Sequence, residues 1–161
     1  MTVKEAQSMN QKRFADQNIR IEDFRHEVWV HCPNCQKQAV ARIHEEYKTA
    51  RLSCLHCALV KESPTFFHST TFGVFQIKQA AHAYFRASLW FEASFKGNQF
   101  WAYNPEHLDY LEKYIAATLR EHKNREHFTL LEKLPRFYHE AKNRNGLLKI
   151  IEKLKNKVGD H

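Results

Sequence analysis

An α+β fold is predicted for this 161-residue chain by three features. Two CxxC pairs sit between short alternating segments, an aromatic-rich stretch folds about a glycine, and helical periodicity runs through the C-terminal third. The chain divides accordingly into an N-terminal segment (1–27), a metal-held module (28–62) and a hairpin followed by helices (63–161).

Residues 1–27 are polar and mixed in charge, with weak periodicity that suggests a short helix around Val3–Ala15. Val28-Trp29-Val30-His31 alternates like a strand and leads into Cys32-Pro33-Asn34-Cys35. Val40–Ile43 and Arg51–Ser53 read as two further strands, with a turn near Tyr47-Lys48-Thr49. Ser63-Pro64 closes the module, because proline cannot donate to a continuing ladder.

Residues 66–88 carry two signals: Phe66, Phe67, Phe72, Phe75 and Ile77 suggest buried extended chain, and Gln79–Ala83 a helical turn. Leu89–Phe95 and Gln99–Tyr103 flank Lys96-Gly97-Asn98 and predict a β-hairpin with a Gly-Asn turn, which needs a body to pack on. Trp90, Trp101 and Tyr103 could stack on unpaired bases, but aromatics at strand spacing more often form core or cross-strand pairs.

Asn104-Pro105-Glu106 is a helix start, with an N-cap, a proline at the first helical position and a carboxylate in the first turn. Leu108, Leu111, Ile115, Leu119 and His122 line one face of that helix. Thr129-Leu130-Leu131-Glu132 has the capping-box pattern and opens a second helix through Leu134, Phe137 and Ala141, kinked at Pro135 and ended by Asn143–Gly146. A final helix carries Leu147, Leu148, Ile151, Leu154 and Val158.

The chemistry concentrates in Cys32, Cys35, Cys54 and Cys57. Two CxxC turns separated by 18 residues have the spacing of a four-cysteine zinc site. Each turn points two sulfurs at one centre about 2.3 Å away, and two turns complete a tetrahedron with no position left for water. One structural zinc per chain is therefore expected, although tetrahedral sulfur also accepts iron. Redox-active CxxC pairs occur singly beside a βαβ pattern, which is absent here. His31 and His56 read as exposed neighbours of the ligands.

The formal charge of +7 falls to +5 once four thiolates surround one Zn²⁺ with a net −2. The remaining basic balance favours phosphate-bearing or acidic partners. Lys142, Arg144, Lys149 and Lys153 are the candidate nucleic-acid contacts, although an amphipathic helix would place such residues on its solvated face in any case. No apolar run is long enough for a bilayer, the N-terminus is too polar for a signal peptide, and the cysteine usage points to a reducing cytoplasm. No HExxH, phosphate-cradling Gly-rich loop, GxSxG or cysteine outside the quartet marks an enzyme.

The Cys32-Pro-Asn-Cys35 and Cys54-Leu-His-Cys57 turns resemble zinc ribbons of the transcription-factor-IIB type. The longer string from Leu89 to His122, with Leu134-Pro-Arg-Phe-Tyr-His-Glu-Ala-Lys-Asn-Arg-Asn-Gly146 and its continuation, resembles small bacterial zinc-ribbon proteins to which no function is usually assigned. The resemblance spans roughly residues 28–157 and implies the architecture without a mechanism. Where that family tends to carry Cys-Cys-Gly at the hairpin tip, this chain has Ser94-Phe95-Lys96-Gly97.

The expected role is a non-enzymatic zinc-binding protein associated with nucleic acid in transcription or replication. The alternative is a protein-interaction role, as an adaptor or a toxin-neutralising immunity protein.

Overall fold

The structure is a computed structural model that describes residues 13–17, 19–122 and 129–157. Most of the helix expected over Val3–Ala15 lies outside these residues, and its end is instead a strand, β1 (Arg13–Asp16). A four-stranded antiparallel meander follows, built from β2 (Glu27–His31), β3 (Gln38–His44), β4 (Thr49–Ser53) and β5 (Val60–Pro64). Period-two alternation assigns its faces. Val28, Val30, Ala39, Ala41 and Leu52 point inward and are almost completely buried. A 3₁₀ turn over Ala81–Phe85 covers that inner face; Ala81 is fully buried there, and its N–H donates to the Arg25 carbonyl at 3.0 Å.

The outer face carries a row of charges beside Trp29, Val40 and Val60. Glu27, Arg42, Arg51 and Glu62 stand in register across all four strands, giving a row of minus, plus, plus, minus. Arg42 Nε donates to Glu27 Oε2 at 2.9 Å.

Residues 66–77 are extended, as expected, but they are not buried. β6 (Phe66–Ser69) and β7 (Gly73–Gln76) form a separate two-stranded hairpin. Its turn is held by Ser69 Oγ, which accepts the N–H groups of Thr71 and Phe72 at 3.2 Å each. Two strands cannot enclose a core between themselves. Phe72, Val74, Phe75 and Ile77 therefore stay in solvent, with Phe72 80% and Val74 61% exposed.

The aromatic hairpin is present as β8 (Phe91–Phe95) and β9 (Asn98–Ala102). Its turn falls one residue earlier than the expected Gly-Asn. Lys96 and Gly97 are the two left-handed residues, at φ 47° and 78°, and Asn98 already belongs to β9. Positive φ at both central positions matches the twist of a tight hairpin. Main-chain bonds fasten this region to the free edge of β2. Trp29 N–H donates to Tyr103 O at 2.7 Å, Trp90 N–H to Trp29 O at 2.9 Å, and His31 N–H to Ser88 O at 2.9 Å. Trp29 also stacks on Phe91, with ring centres 5.6 Å apart.

Helix α1 (Pro105–Ala116) starts as predicted, with the Asn104 side chain accepting the His107 N–H at 2.9 Å. It ends sooner than the apolar stripe suggests. Leu119 and His122, expected on the helix, belong instead to β10 (Leu119–His122), which pairs in parallel with β1 from Arg13↔Leu119 to Asp16↔His122.

The second predicted helix is three short 3₁₀ turns, at Leu131–Lys133, Arg136–Tyr138 and Ala141–Asn143. Pro135 interrupts any longer helix here. Half of the predicted capping box is present, since Glu132 Oε2 accepts the Thr129 N–H at 3.2 Å. Helix α2 (Arg144–Asn156) takes in Arg144-Asn145-Gly146, three of the four residues expected to end the previous element; Val158 lies outside the described residues. Gly146 sits in its first turn because Phe95 packs there: a Cβ on Gly146 would lie 2.7 Å from Phe95 Cε2. α1, α2, the aromatic hairpin and the 3₁₀ turns enclose the larger core around Phe91, Phe100, Leu108, Leu111, Leu147 and Ile151.

His107 is inside this core, 1% exposed and stacked flat on Phe24 with ring centres 4.7 Å apart. Burial lowers its pKa to about 4. An unfolded histidine titrates near 6.5, so below that pH the unfolded chain takes up a proton that the native state refuses. Stability is thus unaffected by this group above about pH 6.5 and falls as pH drops towards 4, by about 3 kcal/mol at 1.36 kcal/mol per unit. Denaturation of wild type and His107→Phe from pH 7 to 4, with metal in excess, should give stability curves that converge as the pH falls. A constant offset between the curves would contradict the shift.

Candidate metal centre and the basic C-terminal face

The four cysteines meet at one end of the meander. Cys32 and Cys35 lie in the β2–β3 turn, and Cys54 and Cys57 in the β4–β5 turn. The two turns have the same construction. Cys32 N–H donates to Lys37 O at 2.8 Å and Cys54 N–H to Leu59 O at 2.9 Å, each across five residues. The residue after the second cysteine of each turn is left-handed: Gln36 at φ 63° and Ala58 at φ 59°. Both positions strain a residue with a Cβ, which is tolerated where the surroundings fix the turn.

Cys32 Sγ lies 3.6 Å from Cys57 Sγ, and Cys35 Sγ 3.6 Å from Cys54 Sγ. All four sulfurs fall within 4.8 Å of one another. A sulfur tetrahedron around an ion at about 2.3 Å has edges of about 3.8 Å, so the donors fit a four-coordinate metal. A disulfide needs about 2.05 Å, and none is formed. With four protein thiolates around it, an ion held here has no open position, which makes the site structural.

The electrostatics of the four thiols favour a cation. The Asn34 side chain, then the Leu59 amide, lower the Cys57 pKa to about 6. At Cys35 the Lys37 amide also lowers it, but desolvation and the other three sulfurs prevail and push it up to about 12. One thiolate forms readily and a crowded neighbour resists. A divalent ion removes that resistance by neutralising the developing charge. The Asn34 N–H donates to Cys32 Sγ at 3.4 Å, which helps that sulfur carry negative charge.

His56 is exposed, as expected, whereas His31 is half-buried. The His31 ring lies 4.7 Å from that of Trp90, and its Nδ1 is 3.1 Å from Gln36 O. It buttresses the first cysteine turn.

The basic C-terminal residues part company. Arg144 Nε and Nη2 donate to Ile115 O and Ala117 O at 3.0 and 3.4 Å, capping the C-terminal end of α1. Lys142 pairs with Glu140 at 3.3 Å. Lys149 and Lys153 face solvent. Lys155 is paired with Asp109 and Glu112, and Lys157 donates to Trp90 O at 2.9 Å with its ammonium 4.4 Å over the Trp90 ring. Trp90, Trp101 and Tyr103 are half-buried, and the Trp101 and Tyr103 rings meet at 4.9 Å. Their arrangement is that of packed side chains.

Sequence reasoning missed the exposed hairpin, although a signal was present. Residues 65–77 contain no Lys, Arg, Asp or Glu, in a chain whose charged fraction is 27%. Among the described residues no helix is long and apolar enough to cross a membrane. Compared with known proteins, the chain matches no family model, no curated protein and no solved structure.

Proposed function

We propose that the chain is a non-enzymatic protein-interaction module whose fold is held by one zinc ion on Cys32, Cys35, Cys54 and Cys57. Zinc suits four thiolates at tetrahedral spacing and brings no redox chemistry. The observation that carries the interaction reading is the β6–β7 hairpin: Phe72, Val74, Phe75 and Ile77 are exposed together on an arm with no charged side chain from Thr65 to Ile77. An apolar patch rimmed by a charged surface is the usual form of a protein contact. Phosphate recognition needs cations, and this arm has none.

The test is paired capture from native cells with wild type and a Phe72→Ser/Val74→Ser variant, with and without nuclease. A protein retained by wild type and lost by the variant, at equal metal content and unaffected by nuclease, supports the reading. Equal retention by both chains, or capture abolished by nuclease, overturns it. The formal net charge of +7, still +5 with zinc bound, and the solvent-facing Lys149 and Lys153 support nucleic-acid association as the second reading. Under it, affinity for labelled RNA or DNA falls steeply with salt.

A further inference from the structure

A cavity of about 150 Å³ opens between the aromatic hairpin, α1 and the 3₁₀ turns. Trp101 and Tyr138 supply aromatic walls, Ile21 and Leu134 aliphatic ones, and the exposed Gln99 and Lys133 stand where it meets solvent. His107 also lines it and is the polar group of interest.

The histidine's two nitrogens are differently placed. Nδ1 accepts the Tyr103 N–H at 3.1 Å, so in the neutral ring the proton is on Nε2. Nε2 is buried without a hydrogen-bond partner. Phe24 covers one face of the ring, and the Tyr103 amide occupies the Nδ1 edge. The edge bearing Nε2–H is the one left for the cavity. A buried donor without an acceptor costs about 1–3 kcal/mol, and native proteins seldom leave one without a reason. The apolar walls around it give a water held there few protein partners.

We infer that this cavity binds a small, neutral, flat molecule carrying one hydrogen-bond acceptor, which Nε2–H of His107 engages. The size fits a single ring, since apolar cavities of about this volume admit benzene. Neutrality follows from the walls, which would strip a charged group of its hydration without replacing it. Flatness follows from the two aromatic side chains, Trp101 and Tyr138, among its walls. The site is independent of the metal and of the exposed arm.

Pyridine and benzene differ only in the ring nitrogen and make the test direct. At pH 7.5, where pyridine is neutral, each is titrated into the metal-loaded full chain, and the ¹⁵N shift of His107 Nε2 and the amide shifts of Trp101 and Leu134 are followed. Pyridine should saturate these shifts about ten-fold more tightly than benzene, the preference one neutral hydrogen bond gives. His107→Phe should abolish the preference, and Leu134→Trp, which fills the cavity, should abolish both responses. Two outcomes overturn the inference. One is no saturable shift with either compound. The other is equal affinity for both in wild type, which would mean that Nε2–H is already turned onto the Trp101 ring, 5.7 Å away and edge-on.

Discussion

Cys32→Ser or Cys54→Ser releases the bound metal and melts the meander while the larger core stays folded. Structural four-ligand sites contribute about 10 kcal/mol or more of apparent binding energy, and in a small module that energy is folding energy. Beyond the edge bonds of β2 and the cover of the Ala81–Phe85 turn, the meander has little to hold it. Its inner face is made of small residues, Ala39, Ala41 and Ala50 beside Val28, Val30 and Leu52. The strained turns at Gln36 and Ala58 persist only while something draws the sulfurs together. The larger core, with its phenylalanines, leucines and two helices, contains none of the four cysteines and should hold without the ion. Metal analysis and residue-resolved hydrogen exchange check both parts. The expected result is less than a full equivalent of metal and lost protection in residues 27–64, with α1 and α2 still protected. A variant that keeps its metal and its native exchange pattern would remove these cysteines from the ligand set.

Asn104→Ala costs about 3 kcal/mol, the second large effect. Three bonds converge on this 7%-exposed side chain. Its oxygen caps α1 through the His107 N–H, and its amide donates to Phe24 O at 3.1 Å and Glu27 O at 2.8 Å. Alanine removes the cap, worth about 1 kcal/mol, and leaves two carbonyls short of a donor at about 1 kcal/mol or more each. Asn104 thereby ties the start of α1 to the start of β2, and both the N-terminal segment and the meander loosen without it. Asn104→Ser keeps a capping oxygen but cannot bridge to both carbonyls, so it should recover about 1 kcal/mol of the loss. Urea melts of the three proteins measure this directly. An Asn104→Ala loss below about 0.5 kcal/mol would mean that water replaces the amide without penalty.

Local chemistry was legible in the sequence wherever it was self-contained. The CxxC spacing predicts the sulfur cluster because each turn sets its own geometry within six residues. Asn104-Pro105 predicts the helix start because cap and first turn are adjacent. Lys96-Gly97 locates the hairpin to within a residue. What failed depended on distant partners. Leu119 and His122 continue a helical stripe in the sequence, yet their segment pairs with Arg13–Asp16 at the other end of the chain. Leu130 to Ala141 has helical spacing, but Pro135 and packing against the hairpin divide it into single turns. Phe72 and Phe75 suggest burial to any reading that equates aromatics with core, and the charge-free run from Thr65 to Ile77 sets the segment apart without saying whether the rest of the chain covers it. Arg144 looks like a surface cation until the end of α1 is placed beside it.

The parallel pairing of β1 with β10 bears on the order of assembly. It joins residues more than a hundred positions apart, whereas every strand pair of the meander closes between neighbours within residues 27–64. Closing a long loop is entropically slower than zipping adjacent hairpins, so the two parts form on different clocks. During synthesis all four sulfurs leave the ribosome before the aromatic hairpin exists, and the metal can be captured at that stage. β1 must wait for Leu119–His122 before it has a partner, so this long-range pair closes after the meander has formed.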